Sequence, residues 1–206
     1  MPSRIKSVFY EDLVFWVDEN VYAPSEDSFL LAENLDVQVG EQVLDMGAGC
    51  GLQGVIAAKK ARVIAVDINP YAVRCTKYNA AINKVHSKMS FVRGDLFKQF
   101  HGKVKFDVML FNAPYLPTNE SETHSWLGCS WAGGATGRRI IDRFISAASN
   151  HLKPNGYILL VQSTLASVET TLMKFKKCGL KAKVIAENAL PFFETITLIK
   201  AEFSEL

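Results

Sequence analysis

A glycine-rich turn is the first feature of this sequence whose residue types could do chemistry. It spans residues 45–51, reads Asp-x-Gly-x-Gly-x-Gly, and lies between a short apolar segment and a segment with helical spacing. Glycine lets a backbone turn tightly and approach a ligand closely, and the N–H groups that open the next helix face that ligand. The turn therefore predicts a ligand site where a strand meets a helix.

The glycine spacing does not by itself decide which ligand binds. Gly49, Gly51 and Gly54 also match the fingerprint of dinucleotide-binding proteins, with an acid, Asp67, at a suitable distance along the chain. S-adenosylmethionine is the ligand that we favour on the turn alone. A dinucleotide site and a purely structural turn remain open at this point.

Three acidic residues at successive strand ends strengthen the case for S-adenosylmethionine. Asp45 lies just ahead of the first glycine, where its carboxylate can face a cationic amino-acid group, and Asp67 can accept from both hydroxyls of a ribose. Asp95 can accept from an adenine amino group while the Leu96 N–H donates to the ring. Each acid alone would more often be a cap or a solvated strand end. Together they describe an ammonium, a ribose and an adenine, whereas a pyrophosphate would be repelled.

The elements that must position these residues alternate along the chain. Apolar segments typical of strands occupy residues 42–46, 62–66, 89–93, 106–111 and 157–162, with a closing strand pair at 182–189 and 194–200. Helical segments separate them, one of which opens with Asn69 as a cap and Pro70 in its first turn. This order predicts an α/β fold with a mostly parallel sheet, helices on both faces and an antiparallel C-terminal strand.

Three further segments complete the predicted organisation. Residues 112–137 form a long loop, which in a compact domain is usually functional, and a helix from about Arg138 ends at a turn signal over 153–156. Residues 1–35 read as a hairpin and a helix with Ser25 as its N-cap. We expect one domain, in which 1–35 form a flap and 36–206 the core that binds the cofactor and catalyses.

Composition excludes several classes of protein. The chain has 206 residues, 49% hydrophobic content and a net charge of +2, which argue against disorder and against a strongly basic nucleic-acid binder. Its four cysteines lack CxxC spacing, so we expect buried free thiols rather than a zinc site. The N-terminal apolar stretch is cut by Glu11 and Asp12, and no apolar run approaches a membrane span. We expect a cytoplasmic, reduced protein.

The residues after the fourth predicted strand are the most informative motif. They read Asn112-Ala113-Pro114-Tyr115, and a proline-rich turn would explain the tetrapeptide taken alone. With the other motifs, however, the chain resembles the HemK-type methyltransferases, which modify the side-chain amide of a glutamine, and most resembles their eukaryotic and archaeal branch. The matching stretches are residues 21–28, 45–51, 67–70, 112–115 and 131–138. The Asn-x-Pro-Tyr motif alone also occurs in methylases acting on adenine or guanine.

The resemblance implies a three-layer, Rossmann-like class I S-adenosylmethionine-dependent methyltransferase fold and a set of site residues. The cofactor residues it implies are Tyr22, Ser28, Asp45, Gly47, Ala48, Gly49, Gly51, Asp67, Ile68, Asp95, Leu96 and Asn112, and the catalytic ones are Asn112, Ala113, Pro114 and Tyr115. Asn112 and the carbonyl of residue 113 would hold the two amide hydrogens of the acceptor, and Tyr115 would pack on its plane. The family usually has proline where Ala113 stands, and losing it removes stiffness worth about 0.4–1 kcal/mol. His124 is the only candidate base nearby, and we expect it to be solvated.

The implied substrate is the glutamine of the Gly-Gly-Gln loop in a class-1 translation release factor, with lysine as an alternative acceptor. Members of the family also work with a small zinc-binding activator subunit that covers an apolar sheet edge. Phe91, Val92, Phe97 and Phe100 are candidates for that edge, although core burial explains them more simply. Three other readings are a nucleic-acid amino-methylase, an oxidoreductase and a non-catalytic cofactor binder. The lysine-rich stretch 174–183, which the first of these would use, also fits a solvated helix face.

Overall fold

The computed structural model describes residues 6–101, 104–119, 124–191 and 194–204, and all structural statements refer to them. The strands are β1 (Lys6–Tyr10), β2 (Leu13–Val17), β3 (Gln42–Met46), β4 (Arg62–Asp67), β5 (Met89–Arg93), β6 (Phe106–Asn112), β7 (Leu152–Ser163), β8 (Leu180–Ala189) and β9 (Thr195–Phe203). The helices are α1 (Glu26–Glu33), α2 (Leu52–Ala58), α3 (Pro70–Ile82), α4 (Trp126–Cys129), α5 (Arg139–His151) and α6 (Val168–Lys177).

The described strands form one seven-stranded sheet and one two-stranded hairpin. The order in the sheet is β5-β4-β3-β6-β7-β9-β8, and β1 pairs with β2 as an antiparallel hairpin. Strands β3 to β7 pair in parallel, while β9 lies antiparallel between β7 and β8. The predicted mostly parallel sheet with an antiparallel C-terminal strand is confirmed.

Apolar residues on both faces of the sheet explain its uninterrupted hydrophobic strands. Successive residues of a strand point to opposite faces, and in β3 Val43 packs in one buried cluster while Leu44 packs in the other. The first cluster joins the sheet to α1, α2 and α3, and the second joins it to α5 and α6. A parallel sheet covered by helices on both sides needs apolar residues at every position. The three-layer arrangement follows from this pattern.

Asn79 of α3 and Asn83, the C-cap of the same helix, attach the hairpin to the sheet domain. The Asn79 side chain accepts from the Trp16 N–H at 2.9 Å and donates to the Trp16 carbonyl at 2.8 Å. Asn83, one helical turn later, makes the same pair of bonds with Val14 at 3.1 and 2.8 Å. Primary amides carry both a donor and an acceptor, so they complete the backbone pairing along the free edge of β2.

The structure corrects the predicted turn at residues 153–156. These residues lie inside β7, which begins directly after α5 at Leu152. The pairing of β6 with β7 shifts register there, since Phe106 lies opposite Leu152 but Val108 lies opposite Tyr157. Extra residues in one strand bulge without ending the strand, so proline and glycine mark an irregularity here rather than a chain reversal.

Two smaller predictions hold only in part. Ser25 takes the N-cap position of α1 with extended backbone, but its hydroxyl bonds the Glu26 carboxylate instead of the helix backbone. Cys50 and Cys75 are buried free thiols as expected, whereas Cys129 and Cys178 are only half-buried. By contrast, Asn69 caps α3 as predicted, accepting from the Tyr71 N–H at 2.9 Å.

Candidate active site

A cavity of about 510 Å³ lies at the carboxyl ends of the central parallel strands. This volume is in the usual range for small-molecule sites, roughly 300–1,000 Å³. Most of the residues predicted from the sequence line it, namely Tyr22, Ser28, Gly47, Ala48, Gly49, Asp67, Ile68, Asp95, Leu96, Asn112, Ala113, Pro114 and Tyr115. Asp45 and Gly51 are not on its wall. The structure thus brings together residues from five separate stretches of the chain.

The glycine turn depends on backbone conformations that side chains disfavour. Gly47, Gly49 and Gly51 all have positive φ, at 66°, 58° and 90°. A β-carbon on Gly51 would also lie 2.8 Å from a Thr76 methyl group, so α3 packs directly against the turn. The Asp67 carboxylate accepts from the Gly49 N–H at 2.9 Å, which ties the turn to the end of β4.

Asp45 lies behind this turn rather than on the cavity wall. It is 3% exposed, and its carboxylate accepts from the Gly54 N–H of α2 at 3.0 Å. Burial raises the pKa of the Asp45 carboxyl to about 7, against the opposing effect of that N–H. The sequence placed this carboxylate opposite a cationic ligand group, whereas in the structure it joins β3 to α2.

The other two strand-end acids do line the cavity, in different electrostatic states. Asp67 accepts from the N–H groups of Gly49 and Asn69, and burial raises its pKa despite them. Asp95 forms ion pairs with Arg143 at 2.7 Å and with Lys98 at 2.7 Å. Although partial burial opposes them, these cations lower the pKa of Asp95. The predicted adenine acceptor therefore already has two cationic partners.

Asn112 carries an unusual amide at the end of β6. Its Nδ2 donates to the Ser28 hydroxyl at 3.3 Å, while its Oδ1 is buried and accepts no hydrogen bond from the described residues. A buried acceptor without a donor costs about 1–3 kcal/mol relative to one that is paired. Such a group at a cavity indicates a missing donor, which a ligand can supply.

Asp27 is the residue at this end of the cavity that the sequence did not single out. It is 5% exposed, and its carboxylate accepts from the hydroxyls of Tyr22 at 3.3 Å, Tyr115 at 3.1 Å and Ser28 at 3.0 Å. Burial, together with the negative charge of Asp27, raises the pKa of both tyrosines. Its only signal in the sequence is its place in the stretch 21–28, and an acid in the first turn of a helix is common enough to need no further role.

The long loop, which the sequence marked as functional, and the start of α5 supply a further part of the wall through side chains that the sequence did not name as site residues. Its additional lining residues include Trp126, Trp131, Arg139, Ile140 and Arg143. Arg93 lies over the Trp126 ring at 5.9 Å, so this loop also contacts the end of β5. His124 is exposed, as predicted.

Several aromatic and lysine residues that the sequence singled out lie outside the cavity. Phe97 is buried against Phe144 and stacks on His151, while Phe91 on the sheet-edge strand β5 is half-buried. In α6, Lys174 pairs with Asp142 at 2.6 Å. The described helices include none that is long and apolar enough to cross a membrane. No cluster of metal-ligating side chains occurs among the described residues.

Comparison with known proteins gives consistent similarities. Residues 13–127 match the family described as "Methyltransferase small domain". A putative protein N5-glutamine methyltransferase of Methanocaldococcus jannaschii is 44% identical over 86% of this chain and 90% of its own length. Human methyltransferase HEMK2 is 34% identical over 88% of this chain and 89% of its own. A solved E. cuniculi Mtq2–Trm112 complex, which methylates the termination factor eRF1, matches with a TM-score of 0.66, 25% identity, and coverage of 90% and 99%.

Proposed function

Because the chain belongs to the small-domain methyltransferases, in the branch of archaeal and eukaryotic protein N5-glutamine methyltransferases, we propose that it methylates a glutamine side chain of a translation release factor. The methyl donor is S-adenosylmethionine. The observation that carries the proposal is the buried Oδ1 of Asn112, which has no donor among the described residues. A primary amide brought to this position supplies the missing N–H.

The cavity fits the proposed cofactor. The three glycines of the turn leave room for close backbone approach, and the described Asp27 and Asp67 make no ion pair, so they suit a ligand with positive charge. We assign the ribose to Asp67 and Ile68 and the adenine to Asp95 and Leu96. S-adenosylmethionine, when bound, supplies a methyl group activated by its positively charged sulfur.

The acceptor is held by the Asn-x-Pro-Tyr segment. A primary amide nitrogen is a weak nucleophile because its lone pair is delocalised into the carbonyl, so its orientation decides its reactivity. In our proposal, Asn112 Oδ1 and the Ala113 carbonyl accept its two hydrogens, and the Tyr115 ring packs on its plane. Correct placement of two reactants can lower a barrier by about 7–11 kcal/mol. Fixed acceptors add to this by stabilising the charge that develops on the nitrogen.

Tyr115 is oriented for this task by Asp27. The Tyr115 hydroxyl donates to the Asp27 carboxylate at 3.1 Å, and the Asn112 amide is joined through Ser28 to the same carboxylate. The acceptor-holding groups therefore share one buried anchor on α1. This supports the proposal that residues 1–35 act as a flap belonging to the catalytic site.

We propose that this protein works with a small, zinc-binding activator subunit. The similar E. cuniculi protein was solved as a complex with Trm112. In this chain β5 is an edge strand of the sheet and carries half-buried Phe91 and Val92. We propose that the subunit covers this edge, and that the reaction takes place in the cytoplasm with the translation machinery.

One experiment tests the proposed function directly. The protein is incubated with methyl-labelled S-adenosylmethionine and a purified class-1 release factor, with and without the activator subunit. We expect label on the factor, and none when the glutamine of its Gly-Gly-Gln loop is replaced. Label that persists after this replacement would identify lysine or another acceptor and overturn the glutamine assignment.

A further inference from the structure

Three backbone hydrogen bonds hold the segment that follows the acceptor grip, the name we use for the proposed acceptor-holding residues 112–115. The Leu116 N–H donates to the Trp131 carbonyl at 3.0 Å, and the Gly133 N–H donates to the Leu116 carbonyl at 2.8 Å. The Thr118 N–H donates to the Gly134 carbonyl at 3.0 Å. The stretch 131–134, which comes from the far end of the long loop, thus lies like a parallel strand beside residues 116–118.

Gly137, a few residues further along the chain, packs directly against the backbone of Tyr115. It has φ of 71°, and a β-carbon added to it would lie 2.2 Å from the Tyr115 carbonyl oxygen and 3.2 Å from Ala166 Cβ. Real β-carbons do not approach backbone oxygen so closely, so any side chain at 137 would displace the Tyr115 backbone. The position of Tyr115 is therefore set by where residue 137 is held.

Arg138 holds it. This side chain is 8% exposed, and its Nη1 donates to the Ala166 carbonyl, to the Ser167 carbonyl at 2.8 Å and to the Thr171 hydroxyl at 3.0 Å. Its Nη2 pairs with Asp142 at 2.8 Å. The five N–H donors of a guanidinium form a rigid fork, so this residue can join the loop end to several backbone groups at once.

The same network reaches the other side of the acceptor grip. Thr171 donates to the Gln162 side chain at 2.5 Å, and Thr197 donates to the Gln162 carbonyl at 3.2 Å. Val161, the residue before Gln162, accepts from the Ala113 N–H at 3.3 Å. Arg138 is thus connected to Ala113 through β7 and to Tyr115 through Gly137.

Arg138 also bears an unpaired polar group. Its Nε is buried and makes no hydrogen bond within the described residues. A long flexible cation is costly to bury, and an apolar side chain of similar size is often no less stabilising. Stability of the fold alone therefore does not account for an arginine at this position.

We propose that Arg138 is a positioning residue for methyl transfer, which fixes Tyr115 and the Ala113 backbone at the distance that the acceptor amide requires. The proposal rests on the function proposed above. It assigns no contact between Arg138 and cofactor or substrate, because its side chain points away from the cavity into the contact between α5 and the start of α6. Arg138 therefore affects the methyl-transfer step and not the binding of cofactor or substrate.

The test compares Arg138→Ala and Arg138→Lys with the full-length protein, using a class-1 release factor as acceptor. A displacement of about 1 Å at a reacting centre can cost 100-fold in rate, so we expect kcat of Arg138→Ala to fall by about that factor. The KM for the factor and the calorimetric affinity for S-adenosylmethionine should change little. Added guanidinium, far below denaturing concentrations, should restore part of kcat, and Arg138→Lys should retain more activity than Arg138→Ala.

Controls separate this role from a merely structural one. Lys174→Ala removes the second partner of Asp142 at the surface, leaves the Arg138 contacts intact, and should keep wild-type kcat. Thr171→Val breaks the same network more gently if Arg138→Ala does not fold. In hydrogen-exchange mass spectrometry, faster exchange should be confined to the peptide over 112–118 and its partner over 131–137.

The possible outcomes are distinct. Wild-type kcat in Arg138→Ala, a kcat loss that guanidinium does not relieve, or faster exchange across the whole sheet would each overturn the positioning role. If the wild-type protein does not methylate the release factor, the proposed substrate is wrong. In that case the exchange pattern still decides whether Arg138 fixes residues 112–118.

Discussion

Replacing Asn112 by alanine should separate catalysis from both cofactor binding and stability. Among the described residues the Asn112 side chain makes one weak hydrogen bond, from Nδ2 to the Ser28 hydroxyl at 3.3 Å, and its Oδ1 is buried without a donor. The variant removes this acceptor and leaves the glycine turn and Asp67 in place. The contacts that we assign to the cofactor are therefore mostly retained.

The expected magnitudes have opposite signs for activity and stability. Removing one positioned hydrogen-bonding group from a transition state typically costs 10²–10³ in kcat, or about 2.7–4 kcal/mol. A buried unpaired acceptor costs the folded state about 1–3 kcal/mol, while an ordinary hydrogen bond contributes about 0.5–1.5 kcal/mol. Asn112→Ala removes both the unpaired Oδ1 and the hydrogen-bonded Nδ2. It should therefore leave the free energy of unfolding unchanged or raise it by up to about 2 kcal/mol.

Three measurements check this prediction. They are methyl transfer to a release factor, calorimetric binding of S-adenosylmethionine, and urea unfolding. Ser28→Ala is the matched control, since it removes the hydroxyl partner of Asn112 but keeps the Oδ1 acceptor, and should lose much less activity. Turnover near wild type in Asn112→Ala would refute the acceptor grip. A parallel loss of cofactor affinity would assign Asn112 to holding the cofactor instead.

Three other variants test the surroundings of the site. Asp27→Asn leaves one acceptor oxygen for the tyrosine hydroxyls, so it should cost about 1–3 kcal/mol in urea unfolding and lower the pKa of Tyr115 in a spectroscopic titration. Gly54→Ala places a β-carbon 2.6 Å from the Asp45 carboxylate and should destabilise the fold by about 1–3 kcal/mol, measured by thermal unfolding. In the folded state the pKa of Asp45 is raised to about 7. From an unfolded value of about 3.9, this should cost up to about 4 kcal/mol of stability as the pH rises between the two values, and Asp45→Asn should abolish that part of the pH dependence. A pH profile identical to wild type in Asp45→Asn would contradict the assignment of this shift.

Local patterns in the sequence were sufficient for the sheet and the glycine turn. Strands covered on both faces give continuous apolar runs, and the positive φ values of Gly47, Gly49 and Gly51 require the residue type that the sequence supplies. The place of Asn112 at the cavity was also predictable, because a motif where a parallel strand ends lies at the carboxyl end of the sheet, where ligands bind. These features depend on neighbouring residues only.

The contacts of Asp27 and Arg138 depend on residues far away in the chain. Tyr115 lies 88 positions from Asp27, and Thr171 lies 33 positions from Arg138. Nothing in the local spacing of either residue distinguishes an anchor from a first-turn acid or a surface arginine. The misread turn at 153–156 has a similar cause, because the register shift that includes it in β7 is a property of its pairing with β6.

Asp45 is a different case, since strand geometry alone argues against its predicted role. Side chains alternate across a strand, and Leu44 and Met46 both pack in the cluster that faces α5. Asp45 must then point to the opposite face, toward α2, where the Gly54 N–H meets it. A carboxylate in the body of a strand points sideways, while one in the last position, such as Asp67, can reach a ligand beyond the strand end.

The acidic residues that line the cavity make its two ends electrostatically different. Asp95, at the end that we assign to adenine, is neutralised by Arg143 and Lys98. Asp27, beside Asn112, is bonded only to neutral hydroxyl and N–H groups within the described residues, so it retains the less compensated charge. Among the described acids that line the cavity, Asp67 makes no ion pair either, so a cation in this low-dielectric space is more stable near Asp27 or Asp67 than near Asp95. We therefore propose that the sulfonium of the cofactor lies toward Asn112, which in our proposal holds the acceptor amide, and that the neutral adenine lies at the compensated end.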